Sequence, residues 1–181
     1  MVTIIFESHS TTLDNEVRKA SGHNDVELSK TGKEQAKEMG ERYKEKHFDA
    51  IFCSDLQRAY KTARLAFDEK FPIIQDKRLR ECDYGDFTGR PKDEIDAEKP
   101  GRISRPFPNG ESYEQVSARM KSFLYDLFQK YNGKTVLIIG HQGTHYGLKQ
   151  WAKGLTLEAA IAEPLEWQPG WTYLLESSPA K

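Results

Sequence analysis

Two nearly continuous apolar runs, Val2 to Phe6 and Thr135 to Ile139, stand out against an otherwise polar chain. Runs of this length and composition mark strands buried on both faces, and the first is read as the central strand of a sheet. Between them the period lengthens. Thr31 with Glu34 has capping-box spacing, and Ala36, Met39 and Tyr43 then recur every three or four residues, predicting an amphipathic helix that ends near Lys46. Asp49 to Cys53 reads as a second short strand. Ser54 with Gln57 repeats the cap, and Leu56, Ala59, Tyr60, Ala63 and Phe67 mark another helical face.

Phe71 to Ile74 is a short extended segment, after which the pattern thins. Eight glycines and prolines punctuate 83–110, so this stretch predicts loop with one short helix near Asp93 to Lys99. Its length exceeds an ordinary connection and predicts a lid or a pocket wall. Ser112 then caps a long helix whose Val116, Met120, Phe123, Leu127 and Tyr131 form one stripe, and Gly133 stops it. Gly143 to Trp151 reads as helix, and Trp171 to Leu175 as a last strand nearer the sheet edge. Strands alternating with helices predict an α/β fold: a three-layer α/β/α sandwich around a mostly parallel central sheet.

A chain of 181 residues fits one domain, here 1–181, with a sizeable core. Lys and Arg number 27 against 28 Asp and Glu, a balance that supplies no broad positive field for nucleic acid. Cys53 and Cys82 are too few for a disulfide scaffold and lack metal-site spacing, which fits free thiols in a reducing cytosol. The opening apolar run meets Glu7 too soon for a signal peptide, and no run approaches the ~18 residues of a membrane span. The expectation is therefore a cytoplasmic protein with neither nucleic acid nor membrane as partner, and with homo-oligomerisation left open.

Candidate chemistry sits where the strands end. The first apolar run delivers Ser8-His9-Ser10, and the second delivers Gly140-His141-Gln142-Gly143 before a helix. In an open α/β sheet, loops beyond the strands' carboxyl ends converge on one crevice, so His9 and His141 are expected to meet there. Arg58 falls in the first turn of a helix after the second strand, an unfavourable place for a cation unless an anion compensates it. A bound phosphate would do so. Taken singly, each residue also has a plain structural reading, a hydrogen-bonded core histidine or a salt-bridged arginine, and only their shared edge favours an anion site.

Several ordered blocks carry a resemblance over nearly the whole chain. Ser8-His9-Ser10-Thr11-Thr12 with Asn15 aligns with an opening Arg-His-Gly-Glu-Thr motif. Gly22, Asp25, Leu28, Ser29, Gly32, Gln35 and Ala36 follow, then Ser54-Asp55-Leu56-Gln57-Arg58-Ala59 with Thr62-Ala63. Leu79-Arg80-Glu81, Gly85, Phe87 and Gly89, then Pro108 with Gly110-Glu111-Ser112, and finally His141 with Gly143 complete the series. The chain resembles the histidine phosphatase superfamily, the phosphoglycerate-mutase-like proteins. The resemblance implies phosphomonoester hydrolysis through a phosphohistidine on His9, with Arg58 and His141 holding the nonbridging oxygens and Glu81 protonating the leaving oxygen. It further implies a phosphate-binding set of Ser8, Asn15, Ser21, Gly22, Arg58, His141 and Gln142, a small phosphorylated metabolite as substrate, and neither metal nor cofactor.

Departures from the family pattern fall in the first motif. Ser8 replaces a phosphate-binding arginine, and Ser10 with Thr11 replaces Gly-Glu. Serine restores at most one weaker hydrogen bond where a guanidinium makes two. Reduced activity and a noncatalytic phosphate-binding pseudoenzyme with a regulatory role are therefore alternatives, and a mutase is a further one. Arg18, Arg80, Arg102 and Arg105 are the candidate replacement cations. Tyr84, Phe87, Phe107 and Trp151 are candidates for an apolar wall, and His145 reads as a packing residue.

Overall fold

Alternation within the interior strands divides the core into two faces. The computed structural model describes residues 1–67, 71–164 and 168–180. Its five strands are β1 (Val2–Ser8), β2 (Ala50–Cys53), β3 (Ile73–Gln75), β4 (Thr135–Gly140) and β5 (Trp171–Leu175). Val2, Ile4 and Phe6 of β1 pack with Ala50, Phe52, Val136 and Ile138 on one face, while Ile5, Ile51, Leu137 and Ile139 pack on the other. Both sides of these strands are dry, which is why their sequences read as near-continuous apolar runs.

The sheet order is β3-β2-β4-β1-β5, parallel throughout except for β5, which runs antiparallel to β1 at an edge. The middle place belongs to β4, and β1 lies beside it between β4 and β5. This corrects the reading of β1 as the central strand. Both strands are interior and equally apolar, so composition could not rank them.

Among the described residues seven α-helices cover the sheet and its rim: α1 (Leu13–Glu16), α2 (Lys30–Arg42), α3 (Gln57–Phe67), α4 (Lys92–Glu98), α5 (Tyr113–Tyr131), α6 (Gln142–Lys153) and α7 (Leu157–Ala162). Met120, Phe123 and Leu127 of α5, with Leu148 of α6, cover one face; Met39 of α2, with Ala59, Ala63 and Phe67 of α3, covers the other. The result is a three-layer α/β/α sandwich. A third cluster, including Tyr84, Ile95, Phe107, Tyr113 and Tyr146, lies beneath the segment 83–110 and packs it against α5 and α6.

Two caps differ from expectation. Ser29, not Thr31, caps α2 by accepting from the Gly32 N–H. At α3 the Gln57 N–H donates to Asp25, because the Ser54 hydroxyl is engaged by His141. Helices α1 and α7, four and six residues long, are too short to leave a period in the sequence. No helix among the described residues is long and apolar enough to cross a membrane.

His145 is a packing residue. Its ring stacks on Phe6 with centroids 4.4 Å apart, and Nε2 lies 2.6 Å from the Tyr173 hydroxyl. Burial, with help from the Lys149 charge, lowers its pKa from 6.5 to about 3. The unfolded chain therefore takes up this proton first. Its contribution is complete above pH 6.5 and is lost as pH falls toward 3, by about 1.4 kcal/mol per unit. His145→Gln is expected to be less stable than wild type at pH 7.5, with the gap narrowing by about 2 kcal/mol at pH 5 in urea unfolding. A pH-independent gap would remove His145 as an acid-sensitive group.

Candidate active site

Strand register brings the two histidines together. Ser8 pairs with Gly140, and the His9 N–H donates to the Gly140 carbonyl at 3.1 Å, so each histidine follows the last paired residue of its strand. Their ring centroids are 4.9 Å apart. β2 ends beside them, with Cys53 opposite Ile139, and the next residue, Ser54, reaches His141 Nε2 at 2.6 Å. Three parallel strands thus deliver His9, Ser54 and His141 to one point at the carboxyl edge.

A cleft of about 200 Å³ opens there. His9, Arg58, Glu81, His141, Ser8, Asn15, Ser21, Gly22 and Gln142 all line it. Lys19, Ala20, Tyr84, Lys92 and Ile95 complete the lining. Of the four aromatics considered for a wall only Tyr84 is present; Phe87 and Phe107 meet edge to face in the third cluster, and the Trp151 indole donates to Ser117 on α5. None of the four arginines considered as replacement cations lines the cleft. Arg80 is committed to Asp55 through two hydrogen bonds, Arg102 to Glu98 and the Pro106 carbonyl, and Arg18 to Asp93, while Arg105 is exposed elsewhere. The cations at the cleft besides Arg58 are Lys19 and Lys92, which sequence reasoning missed.

His9 Nδ1 lies 2.8 Å from the Ser10 carbonyl, which can only accept, so Nδ1 carries the proton and Nε2 keeps its lone pair. The loop is tied down from behind, where the Ser10 N–H donates to Thr62 Oγ1 and Thr62 in turn donates to the Arg58 carbonyl. Burial, followed by the Arg58 charge, lowers the His9 pKa from 6.5 to about 3. The same two causes, burial first, hold His141 well below its usual value. Both rings are neutral near pH 7. His141 Nδ1 is buried without a hydrogen-bond partner among the described residues.

Arg58 is only 2% exposed, yet no carboxylate lies within ion-pair distance of it among the described residues. Its guanidinium donates instead to the Gly22 carbonyl at 2.7 Å and the Asn24 carbonyl at 2.9 Å. Gly22 has φ +49, a left-handed turn that glycine adopts without strain, and this turn helps present the carbonyl. Burial lowers the Arg58 pKa from its ordinary value. A buried cation without a counter-ion is costly, which makes the cleft a place for an anion.

Glu81 lines the cleft, with Oε1 accepting from the N–H groups of Cys82 and Gly143, both at 2.8 Å. Any side chain at 143 would meet Oε1, since a Cβ there would stand 2.5 Å from it; glycine after His141 is therefore what lets the carboxyl approach α6. The Glu81 carbonyl is gripped by His23 Nε2 at 2.7 Å and by Arg119 at 2.8 Å, and Arg119 also holds the carbonyls of Arg78 and Arg80. Neither His23 nor Arg119 was expected, and neither has a sequence signal beyond its place in an otherwise polar segment. Asn15 is placed by the one-turn helix α1, whose Thr12 N–H occupies its Oδ1 and leaves the amide N–H groups available. Among the described residues no group of three or more His, Cys, Asp or Glu is arranged to hold a metal ion.

A three-layer sheet whose carboxyl edge gathers two neutral histidines, an unpaired buried arginine and a carboxyl group has the architecture of the phosphoglycerate-mutase-like proteins. The chain belongs to the histidine phosphatase superfamily (branch 1), whose family model matches residues 4–175. It is 34% identical over 149 residues to the uncharacterized phosphatase PhoE of Bacillus subtilis, covering 82% of this chain and 76% of that protein. It is 31% identical over 150 residues to phosphoserine phosphatase 1 of Hydrogenobacter thermophilus, covering 78% and 71%. Among solved structures, YhfR of Bacillus stearothermophilus superposes with a TM-score of 0.84 at 25% identity, covering 97% of this chain and 96% of that one. These relatives support phosphatase activity in the broad sense.

Proposed function

We propose that the protein hydrolyses small phosphomonoesters without a metal or cofactor, through a phosphohistidine at His9, and that 1–181 forms one histidine-phosphatase domain with 83–110 as its pocket wall. The observation that carries this reading is the buried, unpaired Arg58 beside two neutral imidazoles. His9 Nε2 attacks phosphorus, the P–O ester bond breaks, and the leaving oxygen takes a proton from Glu81. With Oε1 occupied by two backbone donors, Oε2 is the oxygen that carries this proton. Water then attacks phosphorus while giving a proton to the Glu81 carboxylate, the P–N bond breaks, and inorganic phosphate leaves a neutral His9.

Charge on the nonbridging oxygens is met by Arg58 and His141. When the Ser54 hydroxyl donates to His141 Nε2, the unpartnered Nδ1 is the protonated nitrogen and becomes a preorganised donor. Asn15 and Gln142 add amide donors, Ser8 a hydroxyl, and Ser21 and Gly22 shape the wall beside Arg58. Ser8 favours one second reading, a phosphate binder without turnover. Phosphate release from a panel of phosphomonoesters, with free metal chelated, separates the two. Turnover of at least one ester is expected, and phosphate binding without turnover of any would overturn the enzymatic reading.

A further inference from the structure

Arg119 reaches from α5 to the segment that carries Glu81 and engages every N–H of its guanidinium inside the protein. Nη1 donates to the carbonyls of Arg78 and Arg80, both at 2.7 Å. Nη2 donates to the Glu81 carbonyl at 2.8 Å and to Glu111 Oε2 at 3.0 Å, and Nε donates to Glu111 Oε1 at 3.0 Å. Glu111 extends the hold by one residue: its Oε2 also accepts from the Asp83 N–H at 3.0 Å, and its own N–H donates to the Asp83 carbonyl at 2.8 Å. Arg58 in the cleft keeps donors for an anion. Arg119 has none to spare, so its work lies within the protein.

The segment so held has no other frame. Between the 3₁₀ turns Lys77–Leu79 and Gly85–Phe87, residues 81–84 belong to neither helix nor strand, and no backbone ladder sets their place. The carbonyls of Arg78, Arg80 and Glu81 turn toward Arg119, while the Glu81 carboxyl reaches the Gly143 N–H in the first turn of α6. Glu81 is thus strung between two core helices, its backbone tied to α5 and its carboxyl to α6. Displacing a reacting group by ~1 Å can cost about 10²-fold in rate, so the stiffness of the backbone tie bears on proton transfer. A lysine ammonium, with three donors and no planar fork, cannot hold the same set of acceptors.

We infer that Arg119, braced by Glu111, is a positioning residue for the proton donor, acting on leaving-group departure through Glu81 without touching substrate; this rests on the role of Glu81 proposed above. The test is a double-mutant cycle of Arg119→Lys and Glu81→Gln, read in the phosphorylation step by single turnover. Arg119→Lys is expected to slow alkyl phosphates by about tenfold or more and nitrophenyl phosphate by less than about threefold, and to add less than about twofold to Glu81→Gln. No loss, equal loss on the two esters, or the same loss without the Glu81 carboxyl would overturn the inference. Glu111→Gln, which leaves Arg119 one oxygen in place of two, carries the same comparison if Arg119→Lys fails to fold. If Glu81→Gln slows both esters alike, or no ester turns over, the proposed chemistry falls and amide exchange decides the positioning. Exchange of the Gly143 N–H at least about tenfold faster in Arg119→Lys, measured against the core amides of β4, upholds it, and unchanged protection overturns it.

Discussion

Replacing His9 by alanine is expected to lower phosphomonoester hydrolysis by about 10⁴-fold or more while leaving a cooperatively folded protein. The ring's hydrogen bond to its neighbour's carbonyl is local, and the loop keeps its ties through the His9 N–H to Gly140 and the Ser10 N–H to Thr62. Chemistry and fold are thus separable at this position. The low pKa of about 3 adds a pH signature: the imidazole is ready as a nucleophile throughout the neutral and mildly acidic range. Loss of kcat/KM through protonation of His9 belongs near pH 3 and not near 6.5. A His9→Ala protein retaining more than a tenth of wild-type activity would remove His9 from the mechanism.

Glu81→Gln should separate poor from good leaving groups. Glutamine keeps an acceptor for the Cys82 and Gly143 N–H groups, so the bridge to α6 survives, but it has no acidic proton to give. Alkyl phosphates, whose leaving alkoxides need protonation, are expected to slow by roughly 10²–10⁴-fold, and nitrophenyl phosphate by less than about tenfold in the phosphorylation step. Single-turnover rates read this step apart from the later attack of water. Equal slowing of both esters would show that Glu81 does not act as the proton donor.

The fold was legible where a period had room to repeat. The stripe of α5 with its Ser112 cap, and the apolar runs of β1 and β4, were readable because both faces of those strands and one face of that helix are buried. Sheet order was not, since it depends on which interior strands pair, and neighbouring runs of Ile and Val look alike. His9 and His141 were legible because each follows an apolar run. Arg58 was singled out by its place in the first turn of a helix, where a cation calls for an anion, while Glu81 drew its expected role from the family resemblance alone.

The cations of the cleft show the opposite limit. Arginines near the loops invited consideration, but Arg80, Arg102 and Arg18 each answer a carboxylate. Lys92 and Asp96 form an i, i+4 ion pair on α4, a spacing ordinary enough on a helix to single out neither residue in sequence. What the spacing could not reveal is that the next residue on the same face, Lys99, is buried against Gln142 and Tyr146, 43 and 47 residues away in sequence. Ser54 likewise read as a helix cap, because its bond to His141 depends on the register of β2 against β4.

The most direct test of the central claim is to find the phosphoryl group during turnover. Wild-type protein mixed with a rapidly hydrolysed ester, quenched in alkali and digested, should yield the peptide containing His9 with one added phosphoryl group on the imidazole. That modification should survive alkali, disappear on brief acid treatment, and be absent from His9→Ala. The chemistry of the label also separates His9 from the hydroxyls on either side, since phosphoserine at Ser8 or Ser10 would persist in acid. Turnover with an acid-stable label on either serine, or with no protein-bound phosphoryl group at any quench time, would contradict the account.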